Sequence, residues 1–306
     1  MDESRKHALC LYLVKRLMKE RLDNGGYITQ ALLDIVPDRA AIETGSATTT
    51  QLWLSFRALV NVREPWRADA DLLAAQDELL QGMIHDAGIA TVDNLEPTPL
   101  DSRLRLWKGD ITTLATDAIV NAANSGMTGC WAPLHYCIDN AIHTFAGIQL
   151  RYECARMMIE QGHEEPTGQA KITPGYNLPA KHIIHTVGPI ANGAVTDKLR
   201  EQLASSYRSC LDATVEAGDR SIAFCCISTG VFGFPAEEAA KIAVATVRKW
   251  LDEHEAESLK NTPSESPAST NATVNTTALS SSPLPTVVFN VFLDSDEEIY
   301  KKLLGF

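Results

Sequence analysis

The sequence lacks an excess of positive charge. Its 306 residues contain 27 lysines and arginines against 39 aspartates and glutamates, so the formal net charge is −12. Proteins that hold DNA or RNA through its phosphates usually carry a surplus of lysine and arginine. Nucleic acid is therefore not expected as a partner. If the protein binds a phosphorylated ligand, its backbone N–H groups must make most of the phosphate contacts.

Long apolar runs are also missing. The charged, amphipathic N-terminal segment does not have the apolar core of a secretory signal, and no later segment is long and apolar enough to span a bilayer. The seven cysteines are odd in number and irregularly spaced, which argues against a disulfide framework. These absences predict an intracellular, cytoplasmic protein without a membrane partner, whose thiols are available to bind a metal.

Residues 1–98 are predicted to form a helical extension. Apolar residues such as Leu9 and Leu13 recur there at near-helical intervals, and Pro37 and Pro65 mark breaks. We expect three or four short helices that pack as one unit. Because no cluster of acids, bases or metal-binding side chains stands out in this region, we interpret it as structural.

The rest of the chain, 99–306, has a different pattern. Short β-branched runs such as HIIHTV and TVVFNVF alternate with helical stretches near 138–162, 196–217 and 235–254. This alternation predicts a three-layer α/β/α domain with a mostly parallel sheet. The polar run at 257–284 is rich in serine, threonine and proline and poor in apolar residues, which predicts a disordered insert.

Several loops are suited to a phosphorylated ligand. CISTGVFGFP follows an apolar strand, and its Gly230 and Gly233 allow main-chain N–H groups to approach a diphosphate. GDIT and NAAN lie at the ends of other strands, where Asp110 has a carboxylate suited to an exocyclic amine and Asn124 an amide suited to ribose hydroxyls. Each loop alone is also interpretable as a tight turn. Their shared position at strand ends favours ligand binding.

The motifs GDIT, NAAN, IDNAIHTFAGIQLRYEC, HTVGP and STGVFGFP, in this order, resemble the macrodomain family. The resemblance covers residues 100–254 and the terminal strand and helix. It implies a macrodomain fold with a mixed, mostly parallel sheet and an ADP-ribose pocket. By the same resemblance, Asp110 and Ile111 bind the adenine end and Asn124 contacts the distal ribose. The residues implied around the diphosphate and distal ribose are Ile138, Asp139, Ser228, Thr229, Gly230, Val231, Phe232 and Gly233.

A set of metal-binding residue types follows NAAN. Cys130, His135 and Cys137 form a C-x4-H-x-C arrangement whose two thiolates and one imidazole suit Zn²⁺. Three protein ligands leave a fourth position for water or substrate, as in catalytic zinc sites. The spacing alone is equally compatible with coincidence. However, its position and the segment LWLSFRALVNVREP resemble the zinc-dependent macrodomain subgroup, which implies one Zn²⁺ per chain.

The resemblance implies a zinc-dependent hydrolase that removes mono-ADP-ribose from modified proteins. The metal is expected to act at the distal ribose, where a Lewis acid polarises the bond or lowers the pKa of a bound water towards ~7. Asp139 is expected to position or activate that water, and Asn124 to orient the ribose, while a role of Asp139 as a helix cap is compatible. An ester to Asp or Glu is the preferred linkage because an acyl-type bond is the easier one to cleave.

Three alternatives stay open. A non-catalytic ADP-ribose reader would use the same pocket, although a reader needs no open metal site. A deacetylase of O-acetyl-ADP-ribose, or an enzyme that removes a terminal phosphate, would catalyse a different reaction there. Zinc would be structural if a fourth protein ligand completed the site. The residues interpreted as structural rather than functional are Cys154, Cys210, Cys225, Cys226, His143 and His185.

Overall fold

The computed structural model describes residues 1–27, 29–36, 39–261 and 284–306. Most of the predicted insert at 257–284 lies outside these residues. Its first five residues continue the preceding helix, which ends at Asn261. Within the described ranges, no helix combines the length and the apolar character that a membrane span requires.

Five helices occupy the described part of the N-terminal extension. Asp2, Thr48 and Asp69 each precede a helix and accept a hydrogen bond from a backbone N–H of its first turn. The expectation of three or four short helices was too low, because three longer helices are accompanied by two very short ones. The helices are α1 (Glu3–Asp23), α2 (Gln30–Leu33), α3 (Arg39–Thr44), α4 (Thr49–Asn61) and α5 (Ala70–Ala87).

The second part of the chain forms a six-stranded sheet. Its strands are β2 (Leu104–Lys108), β4 (Ala118–Ala123), β5 (Ala170–Pro174), β6 (His182–Val187), β7 (Ser221–Phe224) and β8 (Thr286–Val291). Their spatial order is β2–β8–β7–β4–β6–β5, and every neighbouring pair is parallel except β5 and β6. The predicted mixed, mostly parallel sheet is therefore confirmed. The edge strand β5 was missed, because its half-exposed side chains and terminal proline give a weak strand pattern.

Two short strands connect the extension to the sheet domain. Strand β1 (Ala90–Thr91) lies within the predicted extension and pairs in parallel with β3 (Leu114–Ala115). The hydrophobic core of the extension also includes Ile148 from the other part of the chain. The division at residue 98 stays a prediction.

Helices flank the sheet in two groups. One contains α6 (Ile138–Ala146) and α7 (Ile148–Gln161), and the other contains α8 (Asp197–Glu216), α9 (Ala236–Asn261) and α10 (Asp294–Leu304). The stretch predicted as one helix at 138–162 is divided at Gly147, whose φ of +106° lies in the region that favours glycine. Because β8, β7 and β4 are adjacent and parallel, the loops after their carboxyl ends meet at one edge of the sheet.

Candidate functional site

A cavity of about 750 Å³ opens at the carboxyl ends of β8, β7 and β4. This volume is typical of a site for a small organic ligand. Its wall brings together most of the residues predicted from the sequence, although they come from two segments distant in the chain, 124–139 and 228–232. The predicted residues that line it are Asn124, Cys130, His135, Cys137, Ile138, Asp139, Ser228, Thr229, Gly230, Val231 and Phe232.

Three predicted ligand-binding residues do not line the cavity. The Oδ1 atom of Asp110 accepts hydrogen bonds from the N–H of Thr112 at 2.9 Å and from its hydroxyl at 2.7 Å, so this carboxylate caps a 3-10 turn. Ile111 is buried. The backbone N–H of Gly233 donates a hydrogen bond to the carbonyl of Gly230 at 2.9 Å, which closes a turn in the loop after β7. Since Asp110 follows β2, it lies beyond the β8 end of the cavity, and its role at an adenine stays a prediction.

The β8 end of the cavity contains residues that the sequence reasoning missed. Asn290, Phe292, Leu293 and Asp296 line it, and Phe292 is 71% exposed. The Nδ2 atom of Asn290 donates to the carbonyl of Gly109 at 3.0 Å, which ties this wall to the loop of the GDIT motif. The sequence did contain a signal for this wall. The run TVVFNVF was predicted as a strand, and ligands in open α/β sheets bind beyond the carboxyl ends of such strands. Other missed wall residues are Trp131, Tyr136, Gly188, Cys225 and Cys226.

The loop after β7 presents unpaired polar groups to the cavity. Ser228 has a left-handed backbone, with φ of +67°, and its buried hydroxyl has no hydrogen-bond partner among the described residues. The backbone N–H groups of Gly230, Val231 and Phe232 also have no hydrogen-bond acceptor among the described residues. A Cβ on Gly188 would lie 2.1 Å from the Oγ atom of Ser228, so this close packing requires glycine. The loop is therefore suited to hold an anion such as a diphosphate.

The carboxylate of Asp139 is held at the β4 end of the cavity. It is 4% exposed, and its Oδ1 atom accepts a hydrogen bond from the Nδ2 atom of Asn121 at 2.8 Å. Burial raises the pKa of Asp139 to about 6, although the Asn121 hydrogen bond and the charge of Arg151 oppose the shift. The sequence left open whether Asp139 caps its helix, but the capping atom is the Sγ atom of Cys137, which accepts from the N–H of Asn140 at 3.4 Å.

Asn124 stands between Asp139 and the following loop. Its Nδ2 atom donates to the carbonyl of Gly129 at 3.1 Å and, more weakly, to Asp139 at 3.4 Å. Its Oδ1 atom accepts from the N–H of Gly126 at 3.0 Å. An amide oxygen can accept two hydrogen bonds, so one position stays available for a ribose hydroxyl.

Two buried histidines support this end of the cavity. The Nδ1 atom of His185 is bonded by Asn121 at 3.0 Å, and its Nε2 atom lies 3.0 Å from the hydroxyl of Thr173. Burial lowers the pKa of His185 to about 3 and keeps the pKa of His143 well below its usual value, so both rings are neutral. With Cys154 they form a second cluster of metal-binding types. Both nitrogens of His185 are hydrogen-bonded, whereas the two buried ring nitrogens of His143 have no hydrogen-bond partner among the described residues. The structural interpretation of this cluster stays a prediction.

The segment 129–137, called the metal loop below, gathers the predicted metal-binding residues. The ligand atoms of Cys130, His135 and Cys137 lie within 4.8 Å of one another, and the Sγ atom of Cys130 is 3.4 Å from the Nδ1 atom of His135. Within the described ranges, no fourth cysteine, histidine or carboxylate joins this group. Burial raises the pKa of Cys137 to about 12. A bound cation would reverse this effect by stabilising the thiolate.

Comparison with known proteins decides the family. The macro domain family matches residues 120–243. A protein-ADP-ribose hydrolase of Treponema medium is 51% identical over 252 residues, which cover 82% of this chain and 86% of that protein. The chain belongs to the macro domain family. A protein-ADP-ribose hydrolase of Staphylococcus aureus strain Mu50 is 41% identical to this macrodomain over 295 residues, which cover 96% of this chain and 94% of that protein.

A solved structure supports the same assignment. The macrodomain of Trypanosoma brucei in complex with ADP-ribose has a TM-score of 0.56 and 28% sequence identity, over 81% of this chain and 95% of that one. The family inferred from the motifs is thus confirmed, as is its relation to protein-ADP-ribose hydrolases. The Staphylococcus aureus relative aligns with 96% of this macrodomain, so the alignment includes most of the N-terminal helical extension.

Proposed function

We propose that this macrodomain hydrolyses ADP-ribose from mono-ADP-ribosylated proteins, with one Zn²⁺ held by Cys130, His135 and Cys137. The observation that carries the proposal is the shared wall of the cavity. The loop suited to a diphosphate and the three metal-binding side chains face the same space. Curated relatives named protein-ADP-ribose hydrolase support the reaction class.

The residues present fit zinc. Zn–S and Zn–N bonds of about 2.3 and 2.0 Å at a tetrahedral angle separate the two ligand atoms by about 3.5 Å. The distance of 3.4 Å between the Sγ atom of Cys130 and the Nδ1 atom of His135 agrees with this value. Two cysteines and one histidine also match the ligand softness that zinc prefers. When bound, zinc supplies a Lewis acid at the β4 end of the cavity.

The chain itself orients the substrate around that position. The free N–H groups of Gly230, Val231 and Phe232 and the hydroxyl of Ser228 hold the diphosphate across the middle of the cavity. The distal ribose then lies towards β4, where the Oδ1 atom of Asn124 accepts a hydrogen bond from a ribose hydroxyl. These contacts hold the anomeric carbon in the position that the reaction requires.

Asp139 positions the attacking water in this proposal. Asn121 fixes one carboxylate oxygen by a hydrogen bond of 2.8 Å, which restricts rotation of the group. The side chain lines the cavity, where a carboxylate oxygen can accept a hydrogen bond from water and direct its lone pair towards the anomeric carbon. The water oxygen forms a bond to that carbon and gives one proton to Asp139, while the bond between the carbon and the oxygen of the modified side chain breaks. The side chain leaves as its carboxylate, ADP-ribose is the second product, and Asp139 passes the proton to solvent.

Release of ADP-ribose from a mono-ADP-ribosylated protein tests the proposal. The assay compares the purified protein before and after chelator treatment, and again after addition of zinc. We expect turnover to disappear on chelation and to return with zinc. Full turnover by metal-free protein would exclude the zinc mechanism. Binding of ADP-ribose without turnover by the zinc-loaded protein would favour the reader, and acetate release from O-acetyl-ADP-ribose alone would favour the deacetylase.

Some finer expectations stay predictions. The assignment of the adenine end to Asp110 and Ile111, the ester linkage and the intracellular location belong to this group. Separate substrates that carry ADP-ribose on a carboxylate or on a serine hydroxyl would decide the linkage. Hydrolysis of only the hydroxyl-linked substrate would contradict the ester preference.

A further inference from the structure

A buried amide fastens the metal loop to the N-terminal helices. Asn61, the last residue of α4, is 1% exposed, and its Oδ1 atom accepts a hydrogen bond from the N–H of Leu134 at 3.0 Å. Its Nδ2 atom donates to the hydroxyl of Thr144 in α6 at 3.1 Å. Leu134 precedes His135 and has a φ of +58°, a conformation that leucine rarely adopts. One side chain of the extension thus holds an unfavourable backbone position next to a metal-binding residue.

The side chain of Leu134 makes a second contact with the extension. It packs against the core of the N-terminal helices, which contains Leu52 and Phe56. Moving the loop away from α4 would return this apolar surface to water. The hydrogen bond and the apolar contact therefore favour the same loop conformation.

Arg151 provides a tie on the other side of the metal loop. It is 4% exposed and donates hydrogen bonds to the carbonyls of Val60 at 3.2 Å and Arg63 at 2.9 Å, at the end of α4. It also donates to the carbonyl of Cys130 at 3.4 Å. Its guanidinium lies over the ring of Trp131, 4.2 Å from the centroid. Two points of the metal loop, Cys130 and Leu134, are thus fixed relative to the same helix terminus.

We propose that α4 positions the metal loop, and that Asn61 is the residue through which the extension presets the geometry of the metal-binding side chains. The inference rests on the proposed function in taking the loop as a metal site. Asn61 contacts no ligand atom and acts through Leu134. A loop already held in its bound conformation loses less conformational entropy when the metal binds, so its metal affinity rises.

Metal titration of the full-length protein tests this inference, with Co²⁺ as a spectroscopic probe of thiolate ligation. Asn61→Leu removes both hydrogen bonds and retains a side chain with the same branching and the same number of non-hydrogen atoms. We expect it to weaken Co²⁺ and Zn²⁺ binding by about tenfold or more and to alter the visible spectrum. Asn61→Asp retains an oxygen acceptor for the N–H of Leu134 and should recover most of the affinity. Binding of ADP-ribose should change little in either variant.

Gln76→Leu is a matched control. Gln76 is 1% exposed in α5 and accepts a hydrogen bond from the N–H of Ile148 at 2.9 Å, so its loss breaks a buried amide contact of the same kind outside the metal loop. This variant should lower the melting temperature yet bind Co²⁺ within about twofold of the wild type, because it leaves the supports of the loop in place. An equal loss of affinity in Asn61→Leu and Gln76→Leu would overturn the inference.

A second variant keeps the test decisive if Asn61→Leu fails to fold. Leu134→Ala removes only the apolar contact of the metal loop with the extension, and it should weaken Co²⁺ binding in the same direction. Wild-type affinity in Leu134→Ala, or in folded Asn61→Leu, would contradict the inference. If the wild-type protein bound no Co²⁺ or Zn²⁺, the proposed function would fail instead, because that result does not depend on Asn61.

Discussion

The two ends of the cavity are built differently. At the β4 end, buried side chains hold the metal loop and Asp139 through hydrogen bonds, and the histidines beneath them are neutral. At the β8 end, Phe292 and Leu293 are 71% and 57% exposed. Fixed polar groups are what bond cleavage requires, whereas an open apolar surface is sufficient to bind a flat ring. We therefore expect substitutions at the β4 end to affect turnover and those at the β8 end to affect affinity.

The largest effect is expected from Cys130→Ala. The variant removes one of three metal ligands, so it should lose bound zinc and reduce the rate of ADP-ribose release by about 10³-fold. Its affinity for free ADP-ribose should stay within a few fold, because the loop after β7 is intact. Metal analysis, the release assay and calorimetry measure the three quantities. Cys226→Ala is the control, since Cys226 also lines the cavity but lies outside the metal group. Similar losses of zinc and of turnover in both variants would contradict the specific role of Cys130 as a metal ligand.

Gly188→Ala tests the middle of the cavity. The new Cβ would lie 2.1 Å from the Oγ atom of Ser228 and 2.7 Å from the Cγ2 atom of Ile227, so these side chains, or the loop that carries them, must shift. We expect the affinity for ADP-ribose to fall by about tenfold, or ~1.4 kcal/mol. Ser228→Ala removes the hydroxyl without a clash and should have a smaller effect. Calorimetry that showed wild-type affinity for both Gly188→Ala and Ser228→Ala would contradict the role of this loop in diphosphate binding.

Phe292→Ala should have a moderate effect on affinity alone. Loss of an aromatic surface at the β8 end is expected to weaken ADP-ribose binding by about threefold to tenfold, with kcat unchanged. Phe306→Ala is a suitable control, because Phe306 is 59% exposed and does not line the cavity. Steady-state kinetics distinguish the outcomes: a fall in kcat with unchanged KM would show that the two ends do not divide the work as proposed.

The smallest effect at neutral pH concerns the support of the β4 end. Burial lowers the pKa of His185 to about 3, so the folded state favours the neutral ring. The corresponding stability is fully present above the unfolded pKa of about 6.5 and is lost as the pH falls towards 3, by up to about 1.4 kcal/mol per pH unit. His185→Gln should show a shallower loss of unfolding free energy between pH 6 and 4 in urea titrations. Identical slopes would mean that His185 is not buried in its neutral form.

Much of the fold was predictable because the strands of a parallel sheet are short, apolar runs. HIIHTV was placed at the residues that β6 occupies, His182–Val187. The weaker edge strand β5 escaped because edge strands need fewer apolar residues. The break at Gly147 escaped as well, because a single glycine inside a helical pattern does not reveal its φ angle.

The candidate site was predictable where its functional side chains lie close together in short sequence motifs. The metal-binding residues lie within eight consecutive positions, but their spacing alone did not distinguish a metal site from coincidence, and the prediction depended on the resemblance to the zinc-dependent macrodomain subgroup. The roles of Asn61 and Arg151 were not predicted, because each side chain bonds backbone groups of residues distant in sequence. Every residue has such backbone groups, so the sequence does not indicate which of them will be a partner. The wall residues of β8 were missed for a related reason. Their role depends on which strands are neighbours, and strand order is not encoded locally.

The position of β8 has a consequence for synthesis of the protein. This strand is made after the other five strands of the described six-stranded sheet, yet it lies between β2 and β7 and pairs with both. While the ribosome still holds it, β2 has no partner in the main sheet and the wall formed by Phe292 and Asp296 does not exist. A nascent chain therefore has no complete cavity until β8 emerges, and a chain terminated before Thr286 would leave the edges of β2 and β7 that pair with β8 exposed to aggregation.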